Sequence, residues 1–154
     1  MSTNRFVLVG AWGESGEAML TRSLSADGTP VLFVPFDDST ATGLDPEADL
    51  LGPLEAAWHV ARSAIAAIRA DGGGALTFVI PVGRDPSVVQ SSIAGGLEML
   101  VRALAAECGG GAAPVRVNAV TGDPARAEQV ATLAAFVTGP FASFVSGQMF
   151  ALRA

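Results

Sequence analysis

Residues Gly95-Gly96-Leu97-Glu98-Met99-Leu100-Val101-Arg102-Ala103-Leu104-Ala105-Ala106-Glu107, followed after a glycine cluster by Val115-Arg116-Val117-Asn118-Ala119-Val120, decide the fold. In the first stretch Leu97, Leu100, Val101 and Leu104 recur at helical spacing, and the pattern extends back to about Ser87. In the second, valines alternate with other residues over a length that suits a strand. A helix feeding a short apolar strand is half of a parallel βαβ unit, and the same rhythm continues outward on both sides.

Upstream, Leu76-Thr77-Phe78-Val79-Ile80 reads as a strand that Pro81 and Gly83 end. It is preceded by a long helix over roughly Leu54 to Ala70, closed by Asp71 and three glycines. Further back, Phe6-Val7-Leu8-Val9 and Val31-Leu32-Phe33-Val34 read as buried strands. They flank a helix whose apolar stripe is marked by Ala18, Met19, Leu20 and Leu24. Downstream, Asp123-Pro124 is a helix start, an acid at the cap followed by proline at the first helical position. Gly139-Pro140 ends that helix, and Gly147 to Leu152 gives a last strand. The alternation predicts one α/β domain over residues 1–154, a shortened Rossmann-like three-layer fold with a mostly parallel sheet of about five strands.

Composition narrows the function classes. The chain has 154 residues, half of them hydrophobic and 16% charged, as a folded domain requires. Its formal charge is −6, and every positive charge is an arginine, scattered singly. No basic stripe exists to neutralise a row of phosphates, which argues against nucleic acid. The single cysteine, Cys108, excludes an internal disulfide and a cysteine-based zinc site, and no metal site is expected. No charge occurs between Glu128 and Arg153, a length that could span a bilayer. Gly139-Pro140 breaks that stretch, and a buried helix, a turn and a buried strand account for it better. No membrane contact is expected. No signal-peptide pattern opens the sequence, so the expected location is the cytoplasm.

The quoted helix–strand pair resembles the short-chain dehydrogenase/reductase (SDR) family, in which a helix carrying a catalytic Tyr and Lys leads into an "RVNAV" strand. Ala61 to Arg69 with its glycine run resembles the preceding helix, and Ser146-Gly147-Gln148 resembles the family's "TGQ" closing strand. The resemblance covers most of residues 50–152 and, less clearly, 5–35. It implies a Rossmann-like fold, NAD(P) as cofactor and oxidoreductase chemistry. The sequence departs from each functional part of that pattern. It contains no tyrosine and no lysine. Aligned through Leu97 to Leu100, the family's Tyr and Lys places hold Gln90 and Ala94. Its serine place falls at Pro81-Val82 and its helix asparagine near Pro53. A glutamine amide is no general acid near neutral pH.

The glycine turn departs too. Gly10 and Gly16 match the family's dinucleotide-binding pattern and Gly13 lies between them, but Glu14 occupies the middle glycine's place. A carboxylate about 4 Å from a phosphate charge costs on the order of 4 kcal/mol near a surface. No cofactor is therefore expected, with NAD(P) kept as a weak alternative. A strand–helix–strand stretch is also absent before Leu54. Val31–Val34 then takes either the family's second place or its fourth.

The parts the resemblance retains are the family's assembly elements. Leu54, Trp58, Ile65 and Ile68 on one long helix, with Ile93, Leu97, Leu100, Val101 and Leu104 on the other, are the expected contact faces. Gly95-Gly96 is expected to allow close helix packing. The reading that follows is a non-catalytic SDR-like subunit that assembles with itself or with an active SDR-type oxidoreductase and has no such activity as an isolated chain. Two alternatives stand beside it. One is non-redox acid/base chemistry of cyclase or isomerase type in the vacated cleft, using Asp37, Asp38 or His59. The other is small-ligand binding without turnover.

Overall fold

A computed structural model describes residues 3–36 and 50–153. The strands are β1 (Arg5–Val9), β2 (Val31–Val34), β3 (Gly74–Pro81), β4 (Val115–Gly122) and β5 (Met149–Leu152), and the helices are α1 (Glu14–Leu24), α2 (Gly52–Ala70), α3 (Val88–Cys108) and α4 (Ala127–Thr138). All ladders are parallel, in the order β2-β1-β3-β4-β5. The expected Rossmann-like sheet of five strands is present.

Alternation along the strands builds two cores. Val7 and Val9 of β1 join Leu76, Phe78 and Ile80 of β3 under α2 and α3. Phe6 and Leu8 face the other way, with Val79 and Val120, under α1 and α4. This is the period-2 pleat of a strand buried on both faces. The edge strands are different. Only Val34 of β2 is fully buried and Phe33 is 44% exposed, while no residue of β5 is fully buried. The buried strands expected at 31–34 and 147–152 are thus half-covered, because each has a neighbour on one side only.

The order settles which place β2 takes. It pairs with β1 on the side away from β3, Phe6 opposite Val31, as the second strand of a Rossmann sheet does. The strand that would separate β1 from β3 is gone, and the sheet closes across the gap, with Arg5 opposite Leu76. Crossover hand adds a second signature. The connections β1–α1–β2, β2–α2–β3 and β3–α3–β4 share one hand, the right-handed one that parallel sheets almost always use. The step from β4 to β5 runs the same way across the sheet as the two before it, yet α4 lies on the α1 face. The β4–α4–β5 crossover therefore has the opposite hand, which no local sequence pattern encodes.

Helix boundaries follow local chemistry. Ser87 caps α3, its hydroxyl accepting from the Gln90 N–H at 3.0 Å. Asp123 accepts from the Ala125 N–H at 2.9 Å, but the proline after it starts a 3-10 turn, Pro124–Arg126, and α4 begins at Ala127. On α1 the buried residues are Gly16, Leu20 and Leu24, whereas Ala18 and Met19 face solvent. The two helical glycines divide as well. A Cβ on Gly96 would lie 2.8 Å from both Leu54 methyl carbons, so Gly96 does set the α2–α3 approach; one on Gly95 would meet nothing within 4 Å. Gly95→Ala is expected to stabilise by about 0.5–1 kcal/mol. A thermal melt should show it as a rise of roughly 1–4 °C.

Among the described helices, α3 is long and apolar enough to cross a bilayer by length and composition. Its stripe Val89, Ile93, Leu97, Val101, Leu104 and Cys108 is packed on the sheet.

Candidate functional site

In a sheet of this order the strand connections diverge between β1 and β3, and ligands of such folds sit beyond the carboxyl ends at that point. Here Gly10 follows β1 at φ 81°, and a Cβ on it would lie 2.9 Å from Cγ of Pro81, at the end of β3. The glycine is needed, but what it makes room for is a proline ring. The crevice that remains measures about 20 Å3 and is lined by Val9, Phe36, Ile80, Gln90 and Ile93 besides these two. That is space for about one water.

Gly13 caps α1 at φ 70°, and Glu14 is the first helical residue, followed one turn on by Glu17. Both carboxylates lie where the helix's free N–H groups and dipole attract negative charge. The chain thus sets its own negative charge at the helix end that a Rossmann fold offers to a pyrophosphate. Gly16 serves helix packing: a Cβ there would meet Trp12 Cβ at 3.6 Å and Ala127 Cβ at 3.9 Å. Trp12 turns inward, 2% exposed, and its indole Nε1 has no hydrogen-bond partner among the described residues. A wider groove of about 450 Å3 lies beside β2 and is lined by Glu17 and Phe33 among others, with no cation.

The residues that the resemblance sets at the family's catalytic places are spread over three elements. Gln90 and Ala94 lie one turn apart near the start of α3, Pro53 is buried in the first turn of α2, and Pro81 and Val82 stand at the end of β3. Gln90 and Pro81 both line the crevice. His59 is on the solvent side of α2, its Nε2 3.6 Å from Glu55 and its ring 5.0 Å from that of Trp58. Asp37 and Asp38 lie outside the described residues. Among the described residues, no group of acidic, histidine and cysteine side chains could hold a metal. Cys108 is buried, and burial pushes its thiol pKa up.

The expected contact faces need revision. Ile65, Ile68, Ile93, Leu97, Val101 and Leu104 are packed into the chain's own core, and Leu54 and Leu100 are half-buried against it. With helices on both sides of a five-stranded sheet, those stripes are what cover it. Large apolar side chains that do face solvent include Trp58, Val88 and Met99 on these helices and, near the other end of the chain, Phe136, Phe141 and Phe144. The Arg62 guanidinium stacks over Trp58, 4.8 Å from the ring centre.

Two features escaped the sequence reading. Arg116 sends its guanidinium into the turn after α4, donating to the carbonyls of Thr138 and Ala142 at 2.8 Å each and of Val137 at 3.1 Å. It closes the helix's free C-terminal carbonyls as a cation should, and burial pushes its pKa below the usual arginine value. Asn118, fully buried, donates to the Val145 carbonyl at 3.0 Å and accepts from the Gln148 N–H at 3.1 Å. Ser146 accepts from the Val117 N–H. The "RVN" and "SGQ" stretches that carried the resemblance therefore meet each other, and their work here is structural. The second feature is a cavity of about 400 Å3 beyond the ends of β3, β4 and β5, with Arg84 and Arg153 in its wall.

Solved structures of SDR proteins share this architecture. A short-chain dehydrogenase/reductase family protein superposes with TM-score 0.64 at 18% identity, over 99% of this chain and 97% of that one. An oxidoreductase of the same family from Burkholderia thailandensis gives 0.64 at 19%, over 96% and 90%. A gluconate 5-dehydrogenase from Burkholderia cenocepacia, solved with NADP and tartrate, gives 0.61 at 12%, over 99% and 94%. No family model and no curated protein matches the sequence. At these identities the likeness is one of fold, and the expected SDR fold is the one observed.

Proposed function

We propose that the chain is a non-catalytic SDR-fold subunit that works in the cytoplasm by assembly, with itself or with an active SDR-type oxidoreductase. One observation carries this reading: an emptied catalytic apparatus on a scaffold that leaves large aromatic side chains in water. Gln90, Ala94 and Pro81 offer neither proton donor nor charge at the family's catalytic places. Glu14, with Pro81 against Gly10, supports the absence of a bound dinucleotide. Phe141 and Phe144 are 81% and 86% exposed, beyond what a lone soluble domain needs, and such side chains mark contact surfaces when they cluster. Trp58 and Met99 are exposed apolar side chains on the long helices.

The test has two parts. NADH and NADPH at about 1 mM are expected to leave the melting temperature unchanged, whereas ligand at a hundred times its Kd would add about 2.7 kcal/mol. Light scattering on the purified chain, alone and co-expressed with SDR enzymes of its host, is expected to show a dimer or a mixed complex. Phe141→Glu with Phe144→Glu, or Trp58→Glu with Met99→Glu, is expected to weaken it about tenfold or more, according to which surface is used. A strictly monomeric chain that captures no SDR enzyme would defeat the proposal, as would saturable dinucleotide binding its non-catalytic half.

A further inference from the structure

We propose that the cavity beyond the ends of β3, β4 and β5 binds a small oxyanion, a phosphate- or carboxylate-bearing metabolite, between Arg84 and Arg153. The cavity measures about 400 Å3, within the range of small-molecule sites, and it opens at the carboxyl ends of adjacent parallel strands. Its two guanidinium groups come from different segments, Arg84 just past β3 and Arg153 just past β5. Neither makes a side-chain hydrogen bond or ion pair among the described residues. A third arginine is held close, since Arg126 donates to the Arg153 carbonyl at 2.6 Å and so fixes the backbone at the cavity's rim.

The opposing charge is limited. Asp123 is in the wall, but its carboxylate accepts from the Ala125 N–H as the cap of the following turn; Asp85, next to Arg84, is exposed. Gly83, Thr121 and Gly122 complete the floor. Gly122 is fixed by packing, since a Cβ there would run into Val130 of the core. The Thr121 hydroxyl, with no partner among the described residues, is available to a ligand oxygen. The groove beside β2 has Glu17 and no cation. The groove between α2 and α3 also has two arginines and one acid, but its Arg62 is stacked over Trp58. In a chain of net charge −6, two arginines in the wall of one hollow, with no ion pair among the described residues, favour an anion there.

The experiment is an amide-resolved NMR titration of the full chain with sodium phosphate and, separately, sodium citrate, at fixed ionic strength against sodium chloride. Saturable shifts centred on Gly83, Thr121 and Gly122 are expected from at least one of them, and which one responds distinguishes phosphate from carboxylate ligands. Arg84→Gln and Arg153→Gln are each expected to weaken binding roughly tenfold or more, while Arg22→Gln on α1 leaves it unchanged; the spectra themselves report whether each variant is folded. Absence of saturable shifts from both anions overturns the proposal. So does binding that both cavity variants retain. The site does not require a protein partner, so either result leaves the assembly proposal to its own test.

Discussion

Arg116→Ala is expected to lower the melting temperature by roughly 6–12 °C, equivalent to about 3 kcal/mol in a domain of this size. Each hydrogen bond from a charged donor is worth about 1.5–3 kcal/mol. The guanidinium serves carbonyls at Val137, Thr138 and Ala142 together. Their sum overstates the loss, because water reaches part of the exposed turn once the side chain is gone. Arg116→Lys should recover only a fraction, since one ammonium cannot present the two-nitrogen fork that divides these carbonyls. Thermal or urea unfolding decides it, and a change within about 2 °C would mean the turn holds itself.

The second large effect is expected at Gly73. Its φ is 104°, and a Cβ there would lie 2.6 Å from the Pro114 carbonyl oxygen and 3.2 Å from the Ala113 carbonyl carbon. Gly73→Ala therefore incurs a backbone penalty of about 1–2 kcal/mol and a collision with main chain that cannot rotate away. About 3 kcal/mol or more in total is expected. Gly72 is the control, with φ at 98° and nothing within 4 Å of a Cβ. Gly72→Ala should show the backbone penalty alone, so the difference between the two melts measures the contact between the start of β3 and the segment before β4. Equal losses at both positions would show that the close approach costs nothing.

Much of the fold was legible because its signals are local. Strand cores, the glycine stops and the Asp123 cap all depend on neighbours within a few residues. The misread stripe on α1 shows where locality fails: Gly16 is buried against α4, yet a glycine contributes nothing to a hydrophobic pattern. The faces of α2 and α3 were misjudged for a related reason. An apolar stripe reads the same whether it meets a sheet or another subunit, and only the topology shows that Ile68 and Leu97 are needed at home. The site was the least legible part. Arg84 and Arg153 are unremarkable as single arginines and become a pair only because β4 lies between the strands that precede them. Arg116 and Asn118 were visible as a family signature, but their partners lie in the turn that follows α4.

The missing strand also sets the order in which this sheet can be assembled. Because β3 closes directly onto β1, the first strand of the chain sits inside the sheet, and Asn4 reaches the Ala75 N–H across 71 positions of sequence. By contrast, Asn118 and Val145, which help to join β4 to the C-terminal segment, are 27 apart. Loop-closure entropy favours the nearer pairings, β1 with β2 as well as β4 with the C-terminal segment, so the β1–β3 ladder that joins the two halves forms late. Until it does, the apolar strand Phe6 to Val9 has one unpaired edge, and so does β3. That interval is when a nascent or refolding chain is most prone to aggregate, and refolding yield should fall with protein concentration.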